Sequence, residues 1–204
     1  MKCIVRRLSE SVNNETLPVL RDIQVKNYAM ASEPKQYVDI VKAFQGLGYN
    51  ELKINIVAIS SAGNINSYMW ATNSYISIDQ VASDESITLR ASYAGVSTKA
   101  IINSFSEQNI TLDGYNKKIT INGFEESRDN ISSSTPSSVC VLGFPTTSLA
   151  TINQVKLKKV EIVMGNTNEV LASIVPAVYN GTPCLYDVIN NVAYYANSGE
   201  IIVE

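Results

Sequence analysis

"NGTPCLYDVINNVAYYANSGE", residues 180–200, holds the most information about the fold of this chain. A turn leads into the triplet Leu185-Tyr186-Asp187. A run of aromatics at Tyr194 and Tyr195 follows, and a small-residue turn closes at Gly199. Such an ending makes physical sense as a closing strand, because a C-terminal strand that pairs back across a sheet covers an edge that would otherwise expose unpaired backbone groups. The three tyrosines can bury ring area while their hydroxyls reach backbone or water. Asp187 is suited to accept backbone N–H groups in the turn after the triplet. On this reading these residues hold the fold and carry no chemistry.

Working outward, the period of the chain from residue 51 onward is two. "ELKINIVAIS" (51–60), "YISIDQV" (75–81), "SITLRASY" (86–93), "KKITING" (117–123), "SVCVLGF" (138–144) and "QVKLKKVEIVM" (154–164) alternate or run apolar, as strands do. Between them lie turn clusters such as "SSAGN", "LDGYN", "SSSTPSS" and "GNTNE". Many short strands with this punctuation predict an all-β, antiparallel sandwich or jelly roll with little helix. No internal repeat or long linker divides it, so one domain is expected over 17–204, preceded by an N-terminal extension, 1–16. One segment reads two ways. In "SEPKQYVDIVKAFQGLG" (32–48), Tyr37, Ile40, Val41, Phe44 and Leu47 fall at helical spacing, with Ser32 as N-cap and Gly46 as the C-terminal stop. The β-branched Val38, Ile40 and Val41 also make a fair strand, so the residues alone leave both open.

Composition narrows the function. Apolar residues make up 45% of the chain and charged residues 17%, which describes a folded protein. Net charge is −3, which disfavours binding to a nucleic-acid backbone. The basic residues Lys2, Arg6 and Arg7 form the one N-terminal cluster and read as a solvated arm. Histidine is absent, so a Ser-His-Asp or Cys-His site and an imidazole-bound zinc cannot be built from this chain. Cys3, Cys140 and Cys184 include no CxxC spacing and read as reduced, buried small hydrophobes. No signal peptide or run long enough to span a membrane is seen, so a soluble chain made in a cytoplasm is expected. The sequons at Asn14, Asn109, Asn130 and Asn180 then reflect richness in Asn, Ser and Thr.

No paired-carboxylate spacing suits glycoside hydrolysis. Asp84-Glu85 and Glu125-Glu126 are adjacent pairs whose side chains alternate across a strand, and Arg128-Asp129 reads as an exposed turn. No phosphate-binding loop, dinucleotide fingerprint or EF-hand loop is written in the chain, so no cofactor is expected. A carbohydrate site has better ingredients. "NINSYMWATNSYISID" offers Tyr68, Trp70, Asn73 and Tyr75, with aromatics to stack on sugar rings and an amide for hydroxyls. Under strict alternation Tyr68 and Trp70 share one face. The competing reading makes Trp70 a core anchor.

The stretch "VLASIVPAVYNGTPCLYDVINNVAYYANSGEIIVE" (170–204) resembles the C-terminal signature of a concanavalin A-like, laminin-G-like jelly-roll family found in proteins of gut bacteria and their phages. Pro176, Gly181, Leu185-Tyr186-Asp187, Tyr194, Tyr195, Asn197 and Gly199 stand in its places. "LPVLRDIQVKNYAMASEPKQYVDI" (17–40) is similar to the family's opening, with Gln-Tyr-apolar-Asp at Gln36 to Asp39. "NITLDGYNKKITINGFEES" (109–127) resembles its Ile-Asn-Gly hairpin, and "QVKLKKVEIVMGNTNEVLASIVP" (154–176) the strands leading into the ending. The "AFQGLG" stretch departs from the family's short polar turn and leaves a helix open there, while the resemblance implies a strand over 36–41, where tertiary pairing overrides local propensity. The resemblance implies a concanavalin A-like jelly roll and a non-enzymatic structural protein of a phage virion, such as a decoration, head-fibre or tail-associated subunit. It implies other virion proteins as partners and a symmetric homo-oligomer. Lys2, Arg6 and Arg7 would then belong to a docking arm. The alternative is a carbohydrate-binding module or lectin of a gut bacterium, recognising a cell-surface glycan.

Overall fold

The computed structural model describes residues 22–60, 66–71, 74–80, 86–93, 96–103, 106–127, 133–143 and 155–204; within 66–103 it describes the backbone alone, Met69 excepted. The period-two segments are strands. In chain order they are β1 (Ile23–Val25), β2 (Ala29–Met30), β3 (Val38–Asp39), β4 (Leu52–Ser60), β5 (Asn66–Ala71), β6 (Ser74–Gln80), β7 (Ser86–Tyr93), β8 (Val96–Asn103) and β9 (Glu107–Asp113). Then come β10 (Lys118–Ile121), β11 (Phe124–Ser127), β12 (Val139–Val141), β13 (Val155–Met164), β14 (Val170–Tyr179), β15 (Thr182–Asp187), β16 (Val192–Tyr194) and β17 (Ile202–Val203). No α-helix occurs among the described residues, only two 3-10 turns at Val41–Phe44 and Tyr49–Glu51. The chain is all-β.

Two antiparallel sheets account for every described strand. The larger has eleven strands, in the order β11-β10-β9-β4-β13-β14-β15-β16 with β1, β2 and β17 attached at its centre. The smaller has six, in the order β3-β12-β5-β6-β7-β8. Alternation decides which residues enter the core. Leu52, Ile54, Ile56 and Ala58 of β4 are all buried, as are Val155, Leu157, Val160 and Ile162 of β13. They share one apolar cluster with Val38, Met69, Val139 and Val141 from the smaller sheet. Each fully buried side chain of this size contributes roughly 1.5–3 kcal/mol. Phe44, carried on the first 3-10 turn, is 1% exposed and belongs to the same cluster.

Segment 32–48 holds elements of both expectations. Strand pairing is limited to Val38 and Asp39, shorter than the 36–41 expected, and a single 3-10 turn follows. The Asp39 carboxylate is the reason. Its Oδ1 accepts Val41 N at 2.9 Å and Val139 N at 3.1 Å, while Oδ2 accepts the Ser138 hydroxyl at 2.8 Å. The chain is thereby bent out of the strand one residue after Asp39. Gln45 (φ 53°) and Gly46 (φ 78°) then end the turn in the left-handed region. Ser32 caps no helix, and its hydroxyl donates to Glu200 O at 2.6 Å.

That bond belongs to a clasp between the two ends of the described chain. Gln36 is 1% exposed. Its Oε1 accepts Ser32 N and its Nε2 donates to Ser198 O, both at 2.7 Å. Tyr37 N donates to Asn197 Oδ1 at 2.7 Å, and Asn197 N donates to Tyr37 O at 2.9 Å. An isolated bridge pairs Val38 with Ala196. Gly199 sits at φ 54°, and a Cβ there would stand 3.2 Å from the Glu33 carboxylate, so the turn needs the residue it has. Nearby, Glu204 and Tyr28 exchange backbone bonds, and β17 pairs β2.

Asp187 is wholly buried and fixes the turn after the triplet. Its Oδ1 accepts Ser173 N, Ile189 N and Asn190 N at 3.1, 3.0 and 3.3 Å, and its Oδ2 accepts Asn190 Nδ2 at 2.7 Å. Asp187→Asn keeps the size but sets one amide donor against another. A buried group left unpaired costs about 1–3 kcal/mol. We therefore expect a loss of stability of that order in urea unfolding at neutral pH, with the β-sheet circular dichroism unchanged. A loss below about 0.5 kcal/mol, the scale of an ordinary surface substitution, would contradict the role given to this carboxylate.

Candidate functional site

The motif side chains Gln36, Asp39, Asp187 and Asn197 are committed to the clasp and its neighbouring turns. Among the described residues, a surface feature with the geometry of a site lies elsewhere, where β13 and β14 part. β14 pairs β13 from Val170 to Ile174, then pairs β1 from Ala177 to Tyr179. β13 in turn leaves β14 before Val160 and pairs β2 at Leu157. The link between β1 and β2 passes through this fork, with Lys26 N bonded to Pro176 O at 2.8 Å. A strand residue's N and O face the same neighbour, so the N–H that Pro176 lacks lies on the side that β13 has left.

The sequence "LKKV" marks the other side of the fork. A register shift falls between Leu157 and Lys159 in the pairing of β13 with β4. One extra residue, Lys158, is thus accommodated, and Val160 and Ile162 return to the core. On the face turned away from the core the result is a groove of about 510 Å³. Val57, Val175 and Val188 give it an apolar floor, while Lys26, Asn27, Lys158, Lys159, Glu107 and Ser173 supply polar groups. Lys158 Nζ meets Glu107 at 2.7 Å and Lys159 Nζ meets Glu161 at 2.6 Å. Both pairs are partly solvent-exposed and therefore weak and exchangeable. The hydrogen bond that Lys158 donates to Glu107, with the carboxylate's charge adding, raises the Lys158 pKa and keeps the ammonium charged. Lys26 has no carboxylate partner among the described residues. Beside the groove a second apolar cluster lies on the same sheet face, with Ala177, Cys184 and Tyr186 at its centre. The Tyr179 and Tyr186 rings lie 5.4 Å apart.

None of the residues singled out from the sequence lines this groove. Lys2, Arg6 and Arg7 lie outside the described residues, as do Asn73, Asp84-Glu85 and Arg128-Asp129. For the proposed sugar platform the backbone register is informative. Trp70 stands opposite Tyr75 on one side and Cys140 on the other, in the row that alternates with the core pair Met69–Val141. A register shift between Ser67 and Met69 interrupts the strict alternation on which Tyr68 and Trp70 were matched. Glu125 and Glu126 lie on β11, the edge strand of the larger sheet, where Glu125 pairs with Lys118 at 3.0 Å. Among the described residues no three or more His, Cys, Asp or Glu side chains gather as a metal site. No described helix is long and apolar enough to cross a membrane. The groove was legible only in part: the doubled lysine breaks the period of β13 and Pro176 breaks the ladder of β14, but their meeting depends on pairing that no local pattern encodes.

No protein-family model matches the chain, and no curated protein matches it.

Cys140 and Cys184 are buried free thiols, and burial raises both pKa values from the ordinary 9.0 to about 11. Burial, with the Asp187 charge adding, raises Tyr194 from 10.0 to about 12. The fold thus holds these groups neutral, while the unfolded chain ionises them sooner. Stability is therefore fully present below pH 9 and falls as pH climbs toward 11 and 12. Urea midpoints measured across this range should decline, and Cys140→Ala/Cys184→Ala should flatten the first part of the decline. A midpoint unchanged up to pH 11 would refute the assignment.

Proposed function

We propose that this chain is a non-enzymatic structural subunit of a phage virion, built on a concanavalin A-like jelly roll. The observation that carries the reading is the clasp. The front stretch Gln36–Asp39 and the ending Asn197–Gly199 both bear the family resemblance, and about 160 residues apart in sequence they bond directly to one another. Two motifs read separately thereby become one structural device, which supports the family and the role it implies. Their polar side chains are occupied in holding the chain together, so the exterior is left to make the working contacts. Lys2, Arg6 and Arg7 would sit in an arm reaching a neighbouring subunit, and the partners are other virion proteins and further copies of this chain.

Mass spectrometry of density-purified particles tests the proposal. The protein is expected at fixed stoichiometry with the major capsid or tail protein, and deletion of residues 1–16 should reduce its incorporation at least severalfold. Recovery only in particle-free host fractions would overturn it.

One observation favours a second reading, a glycan-binding module. The direct cross-strand register of Trp70 and Tyr75 sets two aromatic residues side by side on neighbouring strands, the arrangement from which a stacking surface for a sugar could be made. A glycan array decides: selective binding lost in Trp70→Ala with the fold retained supports the module, and no binding to any glycan removes it.

A further inference from the structure

The groove at the β13–β14 fork and the β10–β11 hairpin are complementary in chemistry, and from this we infer that one copy's hairpin docks in the groove of a second copy. This contact rests on the subunit reading and names its partner. The hairpin turns through Asn122 and Gly123, both at positive φ, and leaves Phe124 52% exposed at the edge of the larger sheet. Glu125 and Glu126 follow directly, and the Glu125 side chain is 50% exposed. In register Phe124 and Glu126 stand opposite Ile121 and Ile119 on one face of the hairpin, and Glu125 stands opposite Thr120 on the other, so the edge strand presents an aromatic anchor with one carboxylate on its own face and one behind it. The groove offers the converse, a valine floor and three lysines against one lining glutamate. Its volume, about 510 Å³, accommodates an aromatic side chain with its flanking backbone.

A single copy does not make this contact with itself. The hairpin is fixed in the same sheet by its pairing with β9, two strands from Glu107 and four from Lys158 and Lys159, about 10 to 19 Å at the usual strand spacing. The two surfaces differ, so the contact is heterologous and propagates head to tail into a ring or an open chain. The present ion pairs, Lys158–Glu107 and Lys118–Glu125, are solvent-exposed and can be exchanged for pairs between copies. One hairpin covers little area, so the isolated contact is weak and salt-sensitive, and gains strength where many copies are held together.

Sedimentation velocity of the full chain at rising concentration tests the inference. Wild type should associate reversibly beyond dimers, and added salt should weaken it. Lys26→Glu/Lys158→Glu and Glu125→Lys/Glu126→Lys should each weaken association about tenfold or more when alone. Mixed together, they should regain assembly in alternating order, because each variant's hairpin then meets a groove of opposite charge on the other. Phe124→Ser should abolish association while circular dichroism stays native. A wild-type monomer at all concentrations, association undiminished in the charge variants, or folded variants that fail to pair on mixing would each overturn the contact. A chain monomeric alone yet present at fixed stoichiometry in particles would overturn it and leave the subunit reading standing.

Discussion

The side chain of Gln36 ties together parts of the chain whose backbone pairing is too short to hold them. β2, β3 and β17 are two residues each, and ladders of that length supply few bonds against the entropy of fixing their residues. A buried amide with both ends satisfied makes up the difference, because leaving either end unpaired would expose the full desolvation cost of the group. Closing a loop of some 160 residues is less costly than its length suggests, since the entropic term grows only with the logarithm of length. Three residues on, Asp39 joins β3 to the approach to β12 in the same manner. The two sheets are thus linked at one end by polar side chains and through their middle by the shared apolar core.

The fork on the larger sheet follows from the same economy. β1 and β2 enter the sheet between β13 and β14, and a strand can be admitted there only if the ladder already joining those two is interrupted. Pro176 interrupts it on β14 and the extra lysine on β13, each at the point where its strand changes partner. An opened ladder leaves backbone and apolar side chains at the surface, and Lys158 and Lys159 beside it make exposed ion pairs. Groove and terminal packing are two consequences of one topology.

Strand positions were legible because period two is a local property. β4, β7 and β13 run within a residue of the alternating segments at 51–60, 86–93 and 154–164. The role read for Asp187, accepting N–H groups in the turn behind it, is equally local and is what its bonds do. Segment 32–48 resisted because helix and strand periods overlap within so short a stretch. The outcome there is set by bonds from Asp39 to residues 138 and 139, about a hundred positions away. The groove was hidden for the same reason, as its lining is drawn from six separated stretches of chain. At β5, a one-residue shift next to Tyr68 shows how little a periodic reading can say about faces once a bulge intervenes.

The polar residues divide into two populations with different physical consequences. Gln36, Asp187 and Asn197 make bonds that are buried or bridge distant stretches, and replacing them unsettles the fold. Lys118, Lys156, Lys158 and Lys159 make single exposed ion pairs, each with a glutamate, and such pairs contribute little to stability. Charge on this exterior is accordingly free to be redirected toward a neighbour at small cost to the chain that carries it. The subunit role proposed above would draw on that division: an interior whose polar bonds are not negotiable, and a surface whose pairings can be exchanged for those with a partner.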